Sequence, residues 1–358
     1  MYKRDPSSPP RILVAPLDWG LGHATRCIPL IRYFLESGCE VWIASEGRVQ
    51  ELLRREFPAL THIPLRGYRI RYATTRLGLV CKIMGQIPGI LQTIRYENRW
   101  LKETVARHRL DAVVSDNRFG LHHSQIPCVY LTHQLRIKAP IFERLLQKIH
   151  YRYIRRYGAC WVPDYAGTPN LSGALGHPSR LPPVPVRYLG PLSRFDGKVR
   201  GERYPLLFLL SGPEPQRTLF EKQILHQLKG PAVLVRGLPG GGAPLSAPAD
   251  LVVYDHLPAS ALEELLSGAD WVVARTGYST VMDLVRLRKK SILVPTPGQT
   301  EQEYLGDYLR AQGIAYTLTQ ATFALGPALE AAATFDYRFP SDESAYREIA
   351  AAWLASLG

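Results

Sequence analysis

Apolar runs of strand length recur along the chain, each followed by glycine or hydroxyl residues and then by apolar positions at helical spacing. Ile12 to Leu17 is the first such run; a glycine turn follows it, and Ile28, Ile31, Phe34 and Leu35 then mark the apolar face of a helix. Leu110 to Ser115, Leu206 to Leu210, Trp271 to Ala274 and Ser291 to Pro295 repeat the strand signal, and a further strand ends at Val252-Val253-Tyr254. Strand and helix patterns alternating through both halves predict an α/β chain of two doubly wound, Rossmann-like domains. The expected first domain is 1–189 and the second 205–335. Gly190 to Tyr204, rich in Pro, Gly and charge, reads as the linker. The tail 336–358 carries Tyr346, Ile349, Ala350 and Trp353 at helical spacing. With 358 residues, 46% of them hydrophobic, the chain can bury two cores of ordinary size.

Candidate chemistry gathers where these strands end. After Trp271 to Ala274 come Arg275, Thr276, Gly277, Ser279 and Thr280, the turn and N-cap chemistry that opens a helix whose free N–H groups attract phosphate. Asp283, expected within about the first turn of that helix, is placed to accept hydrogen bonds from ribose hydroxyls. The strand Ser291 to Pro295 runs into Gln299, Glu301 and Gln302, side chains suited to a sugar's hydroxyls. A second phosphate turn follows Leu206 to Leu210, where prolines stiffen the loop and leave Ser211, Gly212, Gln216 and Arg217 with donors to offer.

At the N-terminus, Asp18-Trp19-Gly20-Leu21-Gly22 turns the first strand into a helix beginning His23-Ala24-Thr25-Arg26. As a dinucleotide fingerprint this is weak, because the third glycine is missing and Glu46 is a poor ribose acid at about the right spacing. Asp116 falls just past the strand Leu110 to Ser115, on the rim where ligands of open α/β sheets collect, and can orient an imidazole; Asp18 is a rival for that task. Asn117, Arg118 and His133 also lie at strand ends.

The segment from Arg275 to Glu303 resembles the donor-binding half of GT-B glycosyltransferases, in particular the N-acetylglucosaminyl transferases that make the peptidoglycan lipid precursor. Arg275 and Asp283 keep that family's spacing between its Arg and its ribose-binding acid, while Glu303 stands where the second Gln of a sugar-contacting pair would be. Gly20-Leu21-Gly22-His23-Ala24-Thr25-Arg26 is similar to the family's glycine loop, and to the G-x-G-H-x-x-R of nucleotide-sugar hydrolases with the same fold. The resemblance implies two domains facing a cleft, with the terminal helix returning to the first. It implies His23 as general base with Asp116 behind it, and Gly20, Gly22, Asn117, Arg118 and His133 on the acceptor side. Leu257 would hold the uracil edge, and Arg275 would be the cation at the departing diphosphate. The expected reaction is inverting transfer from a UDP-sugar; a hydrolase and a binding-only protein of the same fold are the alternatives. No cofactor is expected beyond the UDP-sugar co-substrate. No metal is expected either, since the chain has no Asp-x-Asp and no His or Cys pair at zinc spacing.

Charge then narrows the acceptor. The formal net charge is +13, and much of it lies in two stretches of the first domain. Arg66, Arg69, Arg71, Arg76, Lys82, Arg95, Arg99 and Lys102 interleave with apolar residues, and 141–157 reads as a basic amphipathic helix. Such stretches suit an anionic membrane surface, and equally a solvated face. With no secretory signal and no apolar run of spanning length, the expectation is a cytoplasmic protein, peripheral on the inner face of the plasma membrane, with a lipid-linked or other amphiphilic acceptor. Cys27, Cys39, Cys81, Cys128 and Cys160 are scattered and read as reduced core thiols. No zinc-finger spacing or aromatic RNA-binding signature is present, so nucleic acid is not an expected partner.

Overall fold

A computed structural model describes residues 8–69, 76–137, 143–198, 201–341 and 344–357, with only the backbone of 76–84. Arg71, Tyr72, Ile141 and Phe142 of the two basic stretches lie outside the described residues, as do the side chains of Arg76, Cys81 and Lys82. The chain splits into two compact units, Met1–Leu192 with Glu343–Gly358, and Ser193–Asp342.

The first unit runs β1 (Arg11–Pro16), α1 (Leu21–Glu36), β2 (Glu40–Ser45), α2 (Gly47–Glu56), β3 (Thr61–Pro64), α3 (Arg76–His108), β4 (Ala112–Asp116), β5 (Cys128–Leu131), α4 (Glu143–Ile154), β6 (Ala159–Val162) and β7 (Val186–Tyr188). The second runs β8 (Tyr204–Leu209), α5 (Gln216–Gln227), β9 (Ala232–Val235), β10 (Leu251–Tyr254), α6 (Ala259–Gly268), β11 (Ala269–Ala274), α7 (Tyr278–Arg286), β12 (Ser291–Leu293), α8 (Thr300–Ala311), β13 (Tyr316–Thr317) and α9 (Leu325–Ala333). Then α10 (Tyr346–Ala355) returns to the first unit.

Every strand pair among the described residues is parallel. The sheet orders are β3-β2-β1-β4-β5-β6-β7 and β10-β9-β8-β11-β12-β13. In each sheet the order reverses direction at the junction of its first strand with its fourth, β1 with β4 and β8 with β11. There the connections leave to opposite sides and open a crevice at the strands' carboxyl ends. The apolar runs are the strands because both faces of each sheet are covered: Leu13, Val113 and Tyr130 lie in the core of the first unit, and Phe208, Val273 and Ile292 in that of the second.

The boundaries differ from those read in the sequence. Residues 193–198 are stitched to the second unit by side chains, so little of 190–204 is a free linker. Ser193 Oγ donates to Asp283 at 2.7 Å, Gly197 N to Glu263 at 2.9 Å, and Arg286 Nη2 to the Asp196 carbonyl at 3.0 Å. The second unit also extends past Phe335, because Tyr337 donates to the Ser291 carbonyl and Arg338 N to that of Gly313. α10 packs Trp353 against Trp161 and Phe34, with ring centroids 5.3 and 5.9 Å apart.

Candidate active site

At the β1/β4 junction, Pro16 and Asp116 are register partners, so the last residue of β4 lies beside the turn that leads into α1. His23 is in the first turn of α1, and its Nδ1 is 3.0 Å from Asp116 Oδ2. Arg26, one helical turn on and therefore on the same face, forks the same carboxylate. Its Nε is 3.1 and 3.0 Å from the two oxygens, and its Nη2 also bonds Oδ1. Arg26 Nη1 donates to His133 Nδ1 at 2.8 Å. A buried carboxylate with these partners stays ionised: burial alone would raise its pKa, but Arg26 and His23 hold it down at about 2. With Nδ1–H donated to Asp116, the Nε2 lone pair of His23 is left to take a proton. Burial lowers the His23 pKa, with Arg26 and His133 adding to that and Asp116 opposing it, so the imidazole is neutral at neutral pH. Cys27 is buried near Asp116, which together with desolvation keeps the thiol protonated.

Sequence reading assigned Arg26 no task, although its three-residue spacing from His23 was the available signal. Arg118 has a different role from the one expected. It is fully buried, donating to the carbonyls of Pro16 at 2.9 Å and Arg66 at 3.2 Å, and pairing with buried Glu97 at 2.9 Å. It is a strut beneath the strand ends and does not line an acceptor surface. Asn117 takes a left-handed backbone, φ 55°, and its N–H bonds Leu131 O. Gly20 caps α1 in extended backbone, and a Cβ there would meet nothing within 4 Å, so that turn does not require glycine. Asp18 is not an orienter: it accepts from the backbone N–H of Tyr68 and lies against Gly67, where a Cβ would collide with its carboxylate. Trp19 is 45% exposed, edge-on to Tyr68, whose hydroxyl is fixed by Glu97 at 2.8 Å.

In the second unit, the strand ends at the β8/β11 junction place Ser211 and Gly212 beside Arg275 to Gly277, since Leu209 and Ala274 are register partners. Gly212 has φ 101°, which only glycine adopts readily, and a Cβ there would stand 3.5 Å from Thr296 Oγ1. Thr276 and Thr296 are 0% and 1% exposed, yet their hydroxyls, like Gln216 Oε1, make no hydrogen bond among the described residues. A buried unpaired donor is costly, so the two hydroxyls are suited to donate to a ligand's oxygens, while Gln216 Oε1 can only accept from a ligand's hydroxyl or N–H. α7 begins after Gly277 with no side-chain cap, so its first N–H groups are also open; Ser279 and Thr280 are half-buried in that first turn.

Several expected donor residues are occupied instead. Arg275 is fully buried: its Nη2 bonds Gln216 O and Gln320 Oε1, both at 2.8 Å, and its Nη1 points to the carbonyls of Val294 and Pro295. It stacks 4.2 Å over Phe220, and burial lowers its pKa to about 10. It ties strands to α5 and does not present a cation at the surface. Arg217 is consumed by Glu214, Glu221 and Thr218. Asp283 lies in the second turn of α7 and already accepts from Ser193, with Arg194 at 3.4 Å; burial raises its pKa against those partners. Gln302 braces its own turn, accepting from Thr296 N at 2.9 Å and donating to Gln299 Oε1 at 2.6 Å. Leu257 is half-buried between β10 and α6, and Glu301 is in the first turn of α8. Thr296 was missed in the sequence; its signal is a hydroxyl just beyond a buried strand. Among the described residues, no three His, Cys, Asp or Glu side chains gather where they could hold a metal ion.

Residues 249–338 match the glycosyltransferase family 28 C-terminal domain. An uncharacterized glycosyltransferase of Methanosarcina acetivorans is 21% identical over 354 residues, covering 87% of this chain and 86% of that protein. Among solved structures, the glycosyltransferase SnogD from Streptomyces nogalater superposes with a TM-score of 0.63 at 17% identity, over 98% of this chain and all of that one. MurG of Acinetobacter baumannii does so with a TM-score of 0.52 at 14% identity, over 98% and 94%. The chain has the GT-B fold, and it is a glycosyltransferase similar to these proteins.

Proposed function

We propose that this GT-B glycosyltransferase moves a sugar, N-acetylglucosamine being the one its resemblance favours, from a UDP-sugar to an amphiphilic acceptor such as a lipid-linked one. In this reading the His23 Nε2 takes the proton of the acceptor hydroxyl as that oxygen bonds to the anomeric carbon. The bond from that carbon to the diphosphate breaks on the opposite face, so the configuration inverts and UDP leaves. Asp116 is the positioning residue, holding the imidazole in the tautomer that can accept and stabilising the imidazolium that results. Arg26 keeps Asp116 ionised. The observation that carries the proposal is the His23–Asp116–Arg26 cluster at the switch point of the first sheet.

On the donor side, the uncapped start of α7 and the hydroxyls of Thr276 and Thr296 suit the diphosphate, in place of Arg275. Transfer would proceed without a metal ion, the developing charge being met by hydroxyl and backbone donors. Incubation with UDP-sugars, with and without a lipid-linked acceptor, and mass analysis of the products tests the reading. A glycosylated acceptor supports it. Free sugar at the same rate in both incubations would favour hydrolysis instead, a reading that the Arg26 of the G-x-G-H-x-x-R motif keeps in view.

The acceptor's amphiphilic character is supported by α4, where exposed Leu145, Leu146 and Ile149 stand among exposed Arg144, Lys148 and Arg152. An anionic leaflet, the inner face of the plasma membrane, would attract those cations by about 1 kcal/mol each, over a Debye length of about 8 Å. No described helix is long and apolar enough to cross a membrane. Sedimentation should therefore show salt-sensitive binding to anionic vesicles; equal partitioning to neutral ones would count against it.

A further inference from the structure

Away from the His23 cluster, α3, the loop after β4 and the turn after α4 line an open groove of about 520 Å³ formed by Ile94, Arg95, Asn98, Arg99, His122 and Arg156. Three of the six are guanidinium-bearing and none is a carboxylate. Arg95, Asn98, Arg99 and Lys102 fall at helical spacing, so one stripe of α3 presents two arginines, an amide and a lysine to the same side. Like charges four residues apart repel, and Arg95 and Arg99, both exposed, make no hydrogen bond or ion pair among the described residues, so only solvent screens them. Glu97 faces the other way, bonded to Arg118, Tyr68 and Gly120 N.

The opposite wall is tied to the helix by hydrogen bonds. Asn98 Nδ2 donates to the carbonyls of Gly120 at 3.1 Å and His122 at 2.9 Å, fixing the loop to the helix. Arg156 is held over the Tyr153 ring at 4.9 Å, with its Nη1 3.5 Å from His122 Nε2. His122 reports the local field: burial first, then Arg156, Lys102 and His123, lower its pKa to about 4. It therefore adds no charge and offers ring hydrogen bonding instead. Upstream on the same stripe, Ile87 and Leu91 are 42% and 38% exposed, giving the groove an apolar end beyond its cationic one.

Guanidinium forks match phosphate oxygens in geometry, and several of them around one concavity make a built anion site where a single surface cation does not. We infer that this groove binds a phosphate group, the phosphoryl head of either a soluble phosphorylated molecule or a membrane lipid. The inference stands apart from the glycosyl-transfer reading, because none of these residues belongs to that site.

Two arms test it with the full chain. In the first, glycerol 3-phosphate is titrated calorimetrically at low salt. In the second, the protein is sedimented with phosphatidylcholine vesicles carrying either phosphatidic acid or an equal charge of oleate. Binding in the first arm alone identifies a soluble phosphorylated ligand; preference for phosphatidic acid over oleate in the second identifies a lipid head; both support the site. R95Q/R99Q should weaken glycerol 3-phosphate binding at least tenfold, or abolish the preference for phosphatidic acid over oleate, with an unchanged melting temperature, and Arg156→Gln should weaken the soluble binding severalfold. As a control, R144Q/K148Q on the outer side of α4 removes as much charge and should leave glycerol 3-phosphate affinity within about twofold of the original. The site is overturned if neither arm shows binding, if phosphatidic acid and oleate vesicles bind alike with no soluble binding, if R95Q/R99Q binds like the native protein, or if the control loses as much glycerol 3-phosphate affinity, or as much preference for phosphatidic acid over oleate, as R95Q/R99Q does.

Discussion

In the first unit, the end of β4 carries a carboxylate that accepts from an imidazole, a guanidinium and a thiol. In the second, the turns after β11 and β12 carry two buried hydroxyls, and the start of α5 an amide oxygen, that bond to nothing described. Both stand at the switch point of a parallel sheet, yet their polar groups are in opposite states. The first set is satisfied internally and charged, as a group that must hold one protonation state before substrate arrives should be. The second is neutral and unsatisfied, as a surface completed by its ligand should be. If the proposed roles hold, preorganisation for proton transfer stores its cost in satisfied contacts of the folded protein, whereas preorganisation for binding stores it in buried hydroxyls left unpaired until a ligand meets them.

The sharpest way to break this contrast is to remove the centre of the first cluster. Asp116→Ala leaves the Arg26 guanidinium buried without its counter-charge, and should destabilise the chain by about 3–5 kcal/mol in denaturant unfolding. pH gives the same information in the native sequence. The folded carboxyl, at about 2, lies below its usual value near 3.9, so its stabilisation is complete above about pH 4 and is lost as pH falls toward 2. An Asp116→Ala protein that unfolds like the native one would mean that the cluster does not hold the edge together.

Removing the imidazole instead should spare stability and strike turnover. His23→Ala is expected to lower turnover by about a hundredfold or more, close to 2.7 kcal/mol of barrier, with UDP affinity unchanged in calorimetry. Because the His23 pKa is lowered by burial, the native acid limb should lie below pH 6.5. Full activity in His23→Ala would assign the first cluster to structure alone.

How much of this was legible in the chain follows from the same physics. His23 and Asp116, 93 residues apart, could each be placed at a strand's carboxyl end from the apolar run before it, while their pairing, against Asp18 as a rival, came from the family resemblance. The strands themselves were legible for the same reason. The fates of Arg118, Arg217 and Arg275 were not. An arginine beside a ligand loop reads as available, but three of the four groups that captured Arg275 are backbone carbonyls 19, 20 and 59 residues away, which leave no trace in residue identity, and the fourth is the Gln320 amide 45 residues on. The linker was misread similarly: its composition is that of a hinge, while its attachment depends on Asp283 and Glu263, which are distant in sequence.

The second edge should answer a smaller perturbation in the opposite way. Thr296→Val keeps the shape and removes a hydroxyl that has no described partner, so unfolding stability should not fall. UDP affinity should drop by about 1.5–3 kcal/mol if that hydroxyl meets a charged phosphate oxygen, and Thr276→Val should behave alike. A loss of stability with intact UDP binding would place these hydroxyls in an internal network and erase the contrast.

The smallest effect concerns the division of labour between the two edges. Trp19 presents a half-exposed indole in the turn that leads to His23, and it is steadied from behind by Tyr68, which Glu97 holds in place. An aromatic face fixed in this way, four residues from His23, can pack against an acceptor without bearing on the nucleotide. Trp19→Ala should therefore raise the acceptor's KM about fivefold, near 1 kcal/mol, with the donor's KM unchanged, and Trp19→Phe should recover most of the loss. If the donor's KM rose instead, the first edge would be contacting the nucleotide sugar, and the separation of a proton-transfer edge from a binding edge would have to be redrawn.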